Sequence, residues 1–431
     1  MFGVRYRPTT EKRSVDPGSR TTRYPRMRRA AAYAAAAALL PSLVLTGCGG
    51  DDGWTARNVP SEYPSIQAAV DAAQPGDLVR IAPGVYREEV VVPEAKRDIV
   101  VRGADRNRVV LDGGGRRHEG IVVHGDGVAV ENLTVRGFGS GGILFTPPRD
   151  ADKPLRGWRV SYVTVANNAL HGVDALGAEG GTIEHVWASG HAGAGLRMSR
   201  CQPCDTLVTE SVAVRGMVGL ETVNAGGNIV VARSQFRDNR VGVLLLTAGD
   251  DEVYRQRETA VVGNVIADND NRDAAGRGDA FGIGVLVRGG LRDGLARNRI
   301  TGHPGAGVLL TNSEVPATEI SVQGNLLRHN GVDLAVAPEG EPRTSSGSCF
   351  AQNDFTTSLP HDIEKALPCQ SDVPVESGNP PLPTPPPRVD WRSIALPDPQ
   401  PSLPGAATAK PKPARKPSRL DVARVGVPGG S

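Results

Sequence analysis

The sequence predicts an all-β fold, a single-stranded right-handed parallel β-helix, over residues 61–370. Two features of the composition disfavour compact packed layers: 53 glycines and an aromatic share of 4%. A third observation is a repeat, because a phrase of the form Gly-apolar-X-apolar recurs mostly at steps of 23 or 24 residues. A unit of that length cannot bury its own apolar face, so the units must stack. The repeat glycines are Gly120, Gly142, Gly172, Gly195, Gly219, Gly242, Gly284, Gly307 and Gly331.

Residues 1–48 are expected to be a lipoprotein signal peptide outside the fold. Several arginines precede an apolar run from Ala30 to Leu45, which ends in Leu-Thr-Gly-Cys at Cys48. This tetrapeptide resembles a lipobox, in which the cysteine is diacylated and the chain is cut before it. The run is shorter than the roughly 20 residues that span a membrane. We therefore predict export and lipid anchoring through Cys48 on the outer face of the cell membrane, with an uncleaved anchor helix as the alternative.

A short linker over residues 49–60 is expected to lead into a capping helix. Ser65 is a candidate N-cap, and Pro75-Gly76 ends the helical pattern. An open solenoid end exposes apolar side chains and unpaired backbone, so a helix is a suitable lid. The residues on its apolar face are Ile66, Ala69, Val70 and Ala73.

Each repeat unit is expected to hold two strands. The first is the glycine-led phrase, and the second follows a turn, as at Val128 to Val135. Two longer steps predict insertions, at Thr146 to Trp158 and at Thr247 to Ala280. The second strands end in residues that tolerate the left-handed conformation of a sharp corner, and their buried amides can stack. These corner pairs are Asn167-Asn168, Asp238-Asn239, Asp268-Asn269 and His329-Asn330.

The remaining cysteines fall into two sequence-local pairs. Cys201 and Cys204 form a CxxC, and Cys349 and Cys369 bracket the end of the repetitive region. In an oxidising compartment we expect both pairs to form disulfides, with redox chemistry or metal binding as alternatives for the CxxC. Residues 371–431 are rich in proline and basic, which predicts a disordered tail.

The charge balance argues against a nucleic-acid partner. The chain has 49 Lys and Arg against 47 Asp and Glu, a formal net charge of +2 with no basic stripe. We expect a monomer.

Two kinds of segment carry a resemblance to known families. PSIQAAVDAAQPGD at residues 64–77, continued by APGVYRE at residues 82–88, resembles the opening of pectin-lyase-like β-helix proteins, including pectin methylesterases. The coils resemble the right-handed β-helix repeat family, to which a nitrous-oxide-reductase maturation protein and mannuronan epimerases belong. RCQPCD at residues 200–205 and NAGGN at residues 224–228 look like a subgroup of bacterial β-helix lipoproteins of unassigned chemistry. Over roughly residues 60–370 the resemblance implies the fold.

The catalytic motifs of the enzymes in these families are absent from the sequence. It has no Asp-Phe-Ile-Phe-Gly as in pectin methylesterases and no Gly-His-Gly with Arg-Ile-Lys as in polygalacturonases. It also lacks the Asp-Pro-His-Asp and Asp-Pro-His-Glu of the epimerases. No catalytic role is therefore carried over to any residue of this chain.

One column of the repeat predicts a catalytic site. The second residue after each repeat glycine is expected to face outward, and three consecutive members of this column, Asp174, Arg197 and Glu221, are charged. Successive coils lie about 4.8 Å apart, so the two acids would be roughly 9–10 Å apart with the arginine between them. The full column is Val122, Leu144, Asp174, Arg197, Glu221, Leu244, Leu286 and Leu309.

This trio has chemistry suited to a polysaccharide. Carboxylates at that range can act as acid and base across a sugar linkage, and an arginine can neutralise a uronate while a base takes the C5 proton. His171 and His191 are candidate proton relays, and the two insertions would wall a groove. The alternative is a structural surface ladder, because an arginine is attractive between two acids.

Two smaller groups of acidic residues complete the candidates. An acidic loop is a possible calcium site, but its spacing departs from the EF-hand pattern at Arg272, so a solvated loop is favoured and the sequence requires no cofactor. Glu131, Glu184 and Glu210 occupy corresponding second-strand positions and are expected to face solvent. The acidic loop contains Asp268, Asp270, Asp273 and Asp279.

The leading functional hypothesis is a cell-surface β-helix lipoprotein that binds an extracellular polysaccharide and processes it as a lyase, epimerase or hydrolase. The regular face of a solenoid and the charged trio support it. The competing hypothesis is a non-catalytic scaffold or envelope-assembly protein, comparable to periplasmic β-helix maturation factors. The missing catalytic motifs support this second view.

Overall fold

The computed structural model describes residues 54–249, 254–276, 278–337, 347–369 and 378–429. The predicted signal peptide and Cys48 lie outside these residues. Within them, the longest apolar helix falls short of what a membrane crossing needs.

The described chain forms a parallel β-helix with three long sheets, which we call A, B and C. The chain passes through the sheets in the order A, B, C and then returns to A one coil further on. Sheet A contains β1 Ala56–Val59, β2 Leu78–Ile81, β5 Val100–Gly103, β8 Val128–Glu131, β11 Leu155–Ser161, β14 Ala178–Glu184, β17 Thr206–Thr209, β20 Gly226–Ala232, β23 Arg257–Val262, β26 Gly294–Ala296, β29 Ser321–Gln323 and β32 Cys349–Ala351.

The other two sheets are assembled in the same way, and neighbouring strands in all three sheets are parallel. Sheet B contains β3 Gly84–Tyr86, β6 Val109–Asp112, β9 Thr134–Arg136, β12 Thr164–Ala166, β15 Trp187–Ser189, β18 Val212–Val214, β21 Gln235–Arg237, β24 Val265–Ala267, β27 Arg299–Thr301 and β30 Leu326–Arg328. Sheet C contains β4 Val90–Val92, β7 Ile121–Val123, β10 Ile143–Phe145, β13 Val173–Leu176, β16 Ala194–Ser199, β19 Val218–Val223, β22 Val241–Leu246, β25 Ile283–Arg288, β28 Ala306–Thr311, β31 Val332–Val336 and β33 Ser358–Leu359.

Each coil has three strands where the sequence predicted two. The predicted second strand at Val128 to Val135 is divided into β8 and β9 by Asn132, which has a φ of 56°. Tyr162, His185 and Glu210 take the same left-handed conformation between sheets A and B. A single residue in that conformation turns the chain sharply, so one continuous sequence pattern can serve two sheets.

The interior confirms the stacking argument. One continuous apolar cluster runs from Val59 to Leu367, and its side chains come from the inward positions of all three sheets. The predicted stacking of corner amides is present, since Asn239 donates its backbone N–H to Asn269 Oδ1 at 3.1 Å. A second stack was not predicted: it lies between sheets A and B and joins Asn264, Asn298, Asn325 and Asn353.

The predicted N-terminal helix is present as α1, Ile66–Ala72. Ser65 is its N-cap and accepts a hydrogen bond from the Ala68 N–H at 3.1 Å. Its role as a lid stays a prediction. β1 lies within the predicted linker, so the solenoid begins earlier than residue 61. At the other end α2, Ile363–Ala366, follows the last strands.

Disulfide bonds join both predicted cysteine pairs, Cys201 to Cys204 and Cys349 to Cys369.

The insertions differ in extent from the prediction. The first is the turn at residues 146–154, because Leu155 to Trp158 already belong to β11. The predicted insertion at Thr247 to Ala280 holds the regular strands β23 and β24, so the extra residues are divided between the turns that precede and follow them. The second of these turns contains the described residues 268–276 and 278–282.

The C-terminal segment, residues 378–429, differs most from its prediction. It packs along the solenoid, with two short 3₁₀ turns at Trp391–Ser393 and Val422–Arg424, instead of forming a disordered tail. Prolines lack an N–H, so such a segment offers mainly carbonyl oxygens, and arginines of the coils supply the donors. Arg240 is fully buried and donates to Pro386 O and Pro387 O at 3.1 and 2.9 Å.

The same segment covers sheet A and two corners of the solenoid. Ala414 packs on the outer face of sheet A against Leu78, Val100 and Ala129. Arg297, between sheets A and B, donates to Val422 O and Val425 O. Among the described residues, no hydrogen bond or ion pair joins the segment to a strand of sheet C. The described contact with sheet C is an apolar one at its last strand, where Gly378 lies beside Leu359.

Candidate functional site

The predicted column is present on sheet C and in register. Asp174 pairs with Arg197, and Arg197 pairs with Glu221, on adjacent strands β13, β16 and β19. The remaining members of the column pair in the predicted order from Val122 to Leu309. The register slips only after Leu309, which pairs with Ala335, so Gly331 is not equivalent to the other repeat glycines.

Asp174, Arg197 and Glu221 form what we call the sheet-C ladder. The Arg197 Nη1 donates to both Asp174 oxygens at 3.1 and 3.4 Å, and its Nε donates to Glu221 Oε2 at 3.0 Å. Ser199 Oγ accepts a further hydrogen bond from Nη1 at 3.1 Å. Both carboxylates converge on one guanidinium, so they lie closer together than the two strand spacings that the sequence suggested.

The side chains of the sheet-C ladder are mostly buried but remain partly accessible to solvent. Side-chain exposures are 13% for Asp174, 21% for Arg197 and 12% for Glu221. Burial raises the pKa of Asp174 to about 6, even though Arg197 opposes this shift. Burial also raises the pKa of Glu221, again against the attraction of Arg197. Near neutral pH, Asp174 can therefore carry or release a proton.

The two candidate histidines are placed as corner residues. His171 Nδ1 accepts the Ala194 N–H at 3.0 Å, and burial lowers the pKa of His171 to about 3. His191 is buried between Asn168 N and Val165 O, and burial lowers its pKa to about 4. Both rings are neutral near pH 7, so their geometry favours a structural role over the predicted proton relay.

Turns border the ladder on both sides, as the sequence suggested. Pro147, in the turn at residues 146–154, lies beside Gly177 of the coil that carries Asp174. At the opposite corner, Gly276 of the second turn closely approaches Ala192 O. A Cβ at Gly276 would lie 2.4 Å from that oxygen, so the approach requires a glycine.

The C-terminal half of the column departs from its prediction. Leu286 and Leu309 are 5% and 4% exposed, although they were expected to be exposed members of the outer face. They belong to an apolar cluster separate from the main core, together with Ile283 and Ala306. Leucines that meet in register on neighbouring strands cover one another. The leucine part of the column is therefore less exposed to solvent than the charged part.

A second charged ladder, which the sequence analysis missed, lies on sheet A. Arg102 Nε donates to Glu131 Oε2 at 2.7 Å, and Arg159 contacts the other oxygen of Glu131. Glu131 was expected to face solvent but is 3% exposed, because the C-terminal segment lies over it. Backbone oxygens of that segment accept from the outer edges of both arginines, Ala409 O from Arg102 at 2.6 Å and Lys412 O from Arg159 at 2.7 Å.

No metal centre is evident in the part of the chain that the structure describes. There, no three His, Cys, Asp or Glu side chains come close enough together to hold a metal ion. In the predicted acidic loop, Asp279 forms an ion pair with Arg288 at 3.5 Å.

Comparisons with known proteins bear on the fold. Residues 119–327 match the right-handed β-helix region family. The chain is similar to the A-module of a mannuronan C-5 epimerase of Azotobacter vinelandii, with 15% identity, a TM-score of 0.47, and coverage of 73% of this chain and 93% of that one. It is also similar to a pectate lyase, with 17% identity, a TM-score of 0.40, and coverage of 68% and 72%.

An alginate lyase of Paenibacillus sp. strain FPU-7 is similar at 12% identity, with a TM-score of 0.41 and coverage of 70% of this chain and 97% of that one. No curated protein matches the sequence. These similarities concern the fold and carry no assignment of chemistry. Its three parallel sheets and its coil repeat make the described chain a right-handed parallel β-helix, and the family model of that description matches residues 119–327.

Proposed function

We propose that this protein binds a polysaccharide along the outer face of sheet C, centred on the sheet-C ladder. One observation carries the proposal: the hydrogen-bonding charges of the ladder stay partly exposed on the outer face of sheet C, where no described residue of the C-terminal segment contacts them. The strands of this face repeat about every 4.8 Å, a spacing that suits a polymer of repeated sugar units.

The ladder also has the groups needed for acid-base chemistry. A carboxyl group with a pKa of about 6, such as Asp174, is a suitable general acid near neutral pH. Glu221 lies on the other edge of the same guanidinium, where it can act as the base partner. In this proposal Asp174 and Glu221 flank the sugar linkage, while Arg197 holds both carboxylates in position. Cleavage or epimerisation of the bound chain is thus within the chemistry of the site.

We further propose that the protein acts outside the cell, anchored through a lipid on Cys48. The lipobox-like Leu-Thr-Gly-Cys and the two disulfide pairs support export. Intact-mass measurement of the protein from its native membrane should give a chain that starts at a diacylated Cys48. A mature protein that retains residues before Cys48 would contradict this placement.

Binding can be tested on a glycan array with the full chain and a charge-neutral variant of similar shape. The triple variant Asp174→Asn, Arg197→Gln and Glu221→Gln should lose binding by about tenfold or more, because it removes the charged hydrogen bonds of the ladder. The matched control is Glu258→Gln with Arg292→Gln, which neutralises an exposed ion pair outside sheet C. Hits are then assayed for new reducing ends and for the absorbance of unsaturated uronates.

The outcomes separate the two functional hypotheses. Binding that depends on the ladder supports the proposal, and product formation adds an enzymatic activity to it. Equal binding by the ladder variant and the control variant would overturn the proposed site. The absence of any bound glycan would favour the scaffold hypothesis.

A further inference from the structure

A buried amide and a buried carboxyl group meet at the corner between sheets C and A. Gln256 lies directly before β23, and Asp293 lies directly before β26, so the two side chains belong to consecutive coils. Their exposed fractions are 0% and 1%. Because neither side chain reaches solvent, its polar atoms need partners inside the protein.

One half of the contact between them is a hydrogen bond. Gln256 Nε2 donates to Asp293 Oδ1 at 2.9 Å and to Thr259 Oγ1 at 3.1 Å, so both of its N–H groups are used. Asp293 Oδ1 also accepts the Thr259 backbone N–H at 2.9 Å. The amide nitrogen and one carboxyl oxygen are therefore fully engaged.

The other half of the contact is unmatched. Gln256 Oε1 and Asp293 Oδ2 are buried, and neither has a hydrogen-bond partner among the described residues. Both oxygens converge on Gly290, where a Cβ would lie 2.7 Å from Gln256 Oε1 and 2.4 Å from Asp293 Oδ2. Two acceptor oxygens thus face the same small space, which is open because residue 290 has no side chain.

A single proton resolves this mismatch. An amide offers donors on one side and an acceptor on the other, whereas an ionised carboxylate offers two acceptors. A protonated Asp293 supplies an O–H from Oδ2 to Gln256 Oε1, and the acid and the amide then form a cyclic pair with two hydrogen bonds. Exchanging the oxygen and nitrogen of the Gln256 amide only moves the unmatched contact to Asp293 Oδ1. The pair therefore requires a proton in either orientation.

The charged neighbours of this pair come from three elements. Arg255, in the turn before β23, favours the ionised form of Asp293, and Glu258, in β23, opposes it. Arg292, which precedes Asp293 in the chain, is paired with Glu258 at 2.6 Å and is also attracted by Glu319 of the next coil. Burial outweighs these charges and raises the pKa of Asp293 to about 7.

We propose that Asp293 carries a proton in the folded protein and donates it to Gln256 Oε1, and that this hydrogen bond is a pH-sensitive latch between two consecutive coils. Gln256 also holds the end of the turn before β23, because its N–H donates to Thr247 Oγ1 and its carbonyl accepts the Leu291 N–H, both at 3.1 Å. Loss of the proton places a negative charge against the amide oxygen. The hold of Gln256 on the coil of Asp293 then weakens, so the latch is closed in acid and opens as the pH rises to neutrality.

The proton can be detected in the full chain by infrared difference spectroscopy. At about pH 6 the wild type should show the carbonyl band of a protonated carboxyl group that is missing from Asp293→Asn, and this band should fade above about pH 7. The asparagine keeps the shape of the side chain and can donate an N–H to Gln256 Oε1, so the variant should fold. Absence of the band at about pH 6 would overturn the proposal, because the two oxygens would then be satisfied without a proton on Asp293.

The action of the latch is tested by hydrogen exchange, corrected for the intrinsic pH dependence of amide exchange. In the wild type, protection of the Gln256 and Leu291 amides should fall about tenfold or more between about pH 5 and about pH 8, because a carboxyl group whose pKa is raised on folding stabilises the closed form only while it is protonated. Asp293→Asn should remove this fall. The matched control is Asp362→Asn, which removes an exposed carboxylate paired with Lys365 at 3.0 Å and should keep the fall.

Each remaining outcome decides the proposal without reference to glycan binding. The infrared band, together with a fall in protection that only Asp293→Asn removes, would support the latch. A band accompanied by protection that does not depend on pH, or that depends on pH equally in Asp293→Asn, would show a proton that holds nothing in place. A fall that Asp362→Asn also removes would come from the general charge of the protein. Either of these last two results would overturn the latch.

Discussion

Both charged ladders of this solenoid join arginine to carboxylate side chains across three neighbouring strands, yet the ladder on sheet A is covered and the ladder on sheet C is partly exposed. On sheet A, Glu131 is 3% exposed beneath the C-terminal segment, and both of its arginines are used up by carboxylate and carbonyl oxygens. On sheet C, no described part of that segment contacts Asp174, Arg197 or Glu221, and the side chains keep 12–21% exposure. The sheet-A ladder, which the C-terminal segment covers, thus has a structural role. The sheet-C ladder, which that segment does not cover, is a candidate binding site.

The largest expected effect is on the covered ladder. Glu131→Ala leaves the buried Arg102 without its carboxylate and Arg159 with only the more distant Glu184, and breaking such a buried pair typically costs about 3–5 kcal/mol. We expect a loss of this order in the free energy of unfolding, measured by urea and thermal melts followed by circular dichroism. Glu258→Ala, in an exposed ion pair with Arg292, should cost less than about 1 kcal/mol. An equal loss of unfolding free energy in both variants would show that burial under the C-terminal segment does not strengthen the ion pairs of Glu131.

Truncation after residue 377 should expose the outer face of sheet A to solvent. We expect its cost in unfolding free energy to be smaller than that of Glu131→Ala. The main apolar core, as far as the structure describes the chain, ends at Leu367, so the β-sheet circular dichroism should persist. Water replaces the lost carbonyl partners of Arg102 and Arg159, which keeps the cost below that of Glu131→Ala. Hydrogen exchange should rise in β5, β8 and β11 and stay unchanged in β13, β16 and β19. Loss of the folded spectrum, or equal exchange on both sheets, would contradict this division.

The smallest expected effect is a pH dependence that comes from the open ladder. Burial raises the pKa of Asp174 from its usual value near 4 to about 6, so the folded state binds more protons than the unfolded state between these values. Stability should therefore fall as the pH rises from about 4 to about 6. Asp174→Asn should flatten this part of the profile of melting temperature against pH.

Asp293 supplies the control for this measurement. It is 1% exposed, and burial raises its pKa to about 7. Because its pKa is also raised on folding, ionisation of Asp293 destabilises the folded state, and the fall in stability extends up to about pH 7. Asp293→Asn should remove this upper part and leave the part that Asp174 causes. An unchanged slope in Asp174→Asn would mean that the open ladder does not titrate in this range.

Much of the site could be predicted because its determinants are local. A glycine-led strand repeats in the sequence, and side chains alternate between the two faces of a strand. Aligning the glycines was therefore enough to place Asp174, Arg197 and Glu221 in one column, and the register agrees. The same alignment applied to the second strand of each unit could have found the Arg102–Glu131 pair, which is in register. It would have missed Arg159, which is in register with Ala129.

The exposure of those residues could not be predicted, because it depends on distant parts of the chain. Composition suggested a disordered tail, since prolines and lysines bury little apolar surface of their own. The partners of that segment are guanidinium groups about 300 residues earlier, such as Arg102, which holds Ala409 O. Local pattern likewise placed His171 near the ladder, but burial, with a smaller contribution from Arg197, lowers its pKa to about 3 and makes it a weak base.

The amino-acid sequence by itself determined the period of the coil, the stacking of its units and the identity of the charged column, because strand alternation and turn conformation are properties of neighbouring residues. Only the tertiary structure decided which charged column the C-terminal segment covers. It also decided which N–H groups of Arg197 are used by internal partners and which carboxyl groups have a raised pKa. These properties depend on solvent exclusion, and the chain that excludes the solvent comes from a part of the sequence with no local signal for where it will pack.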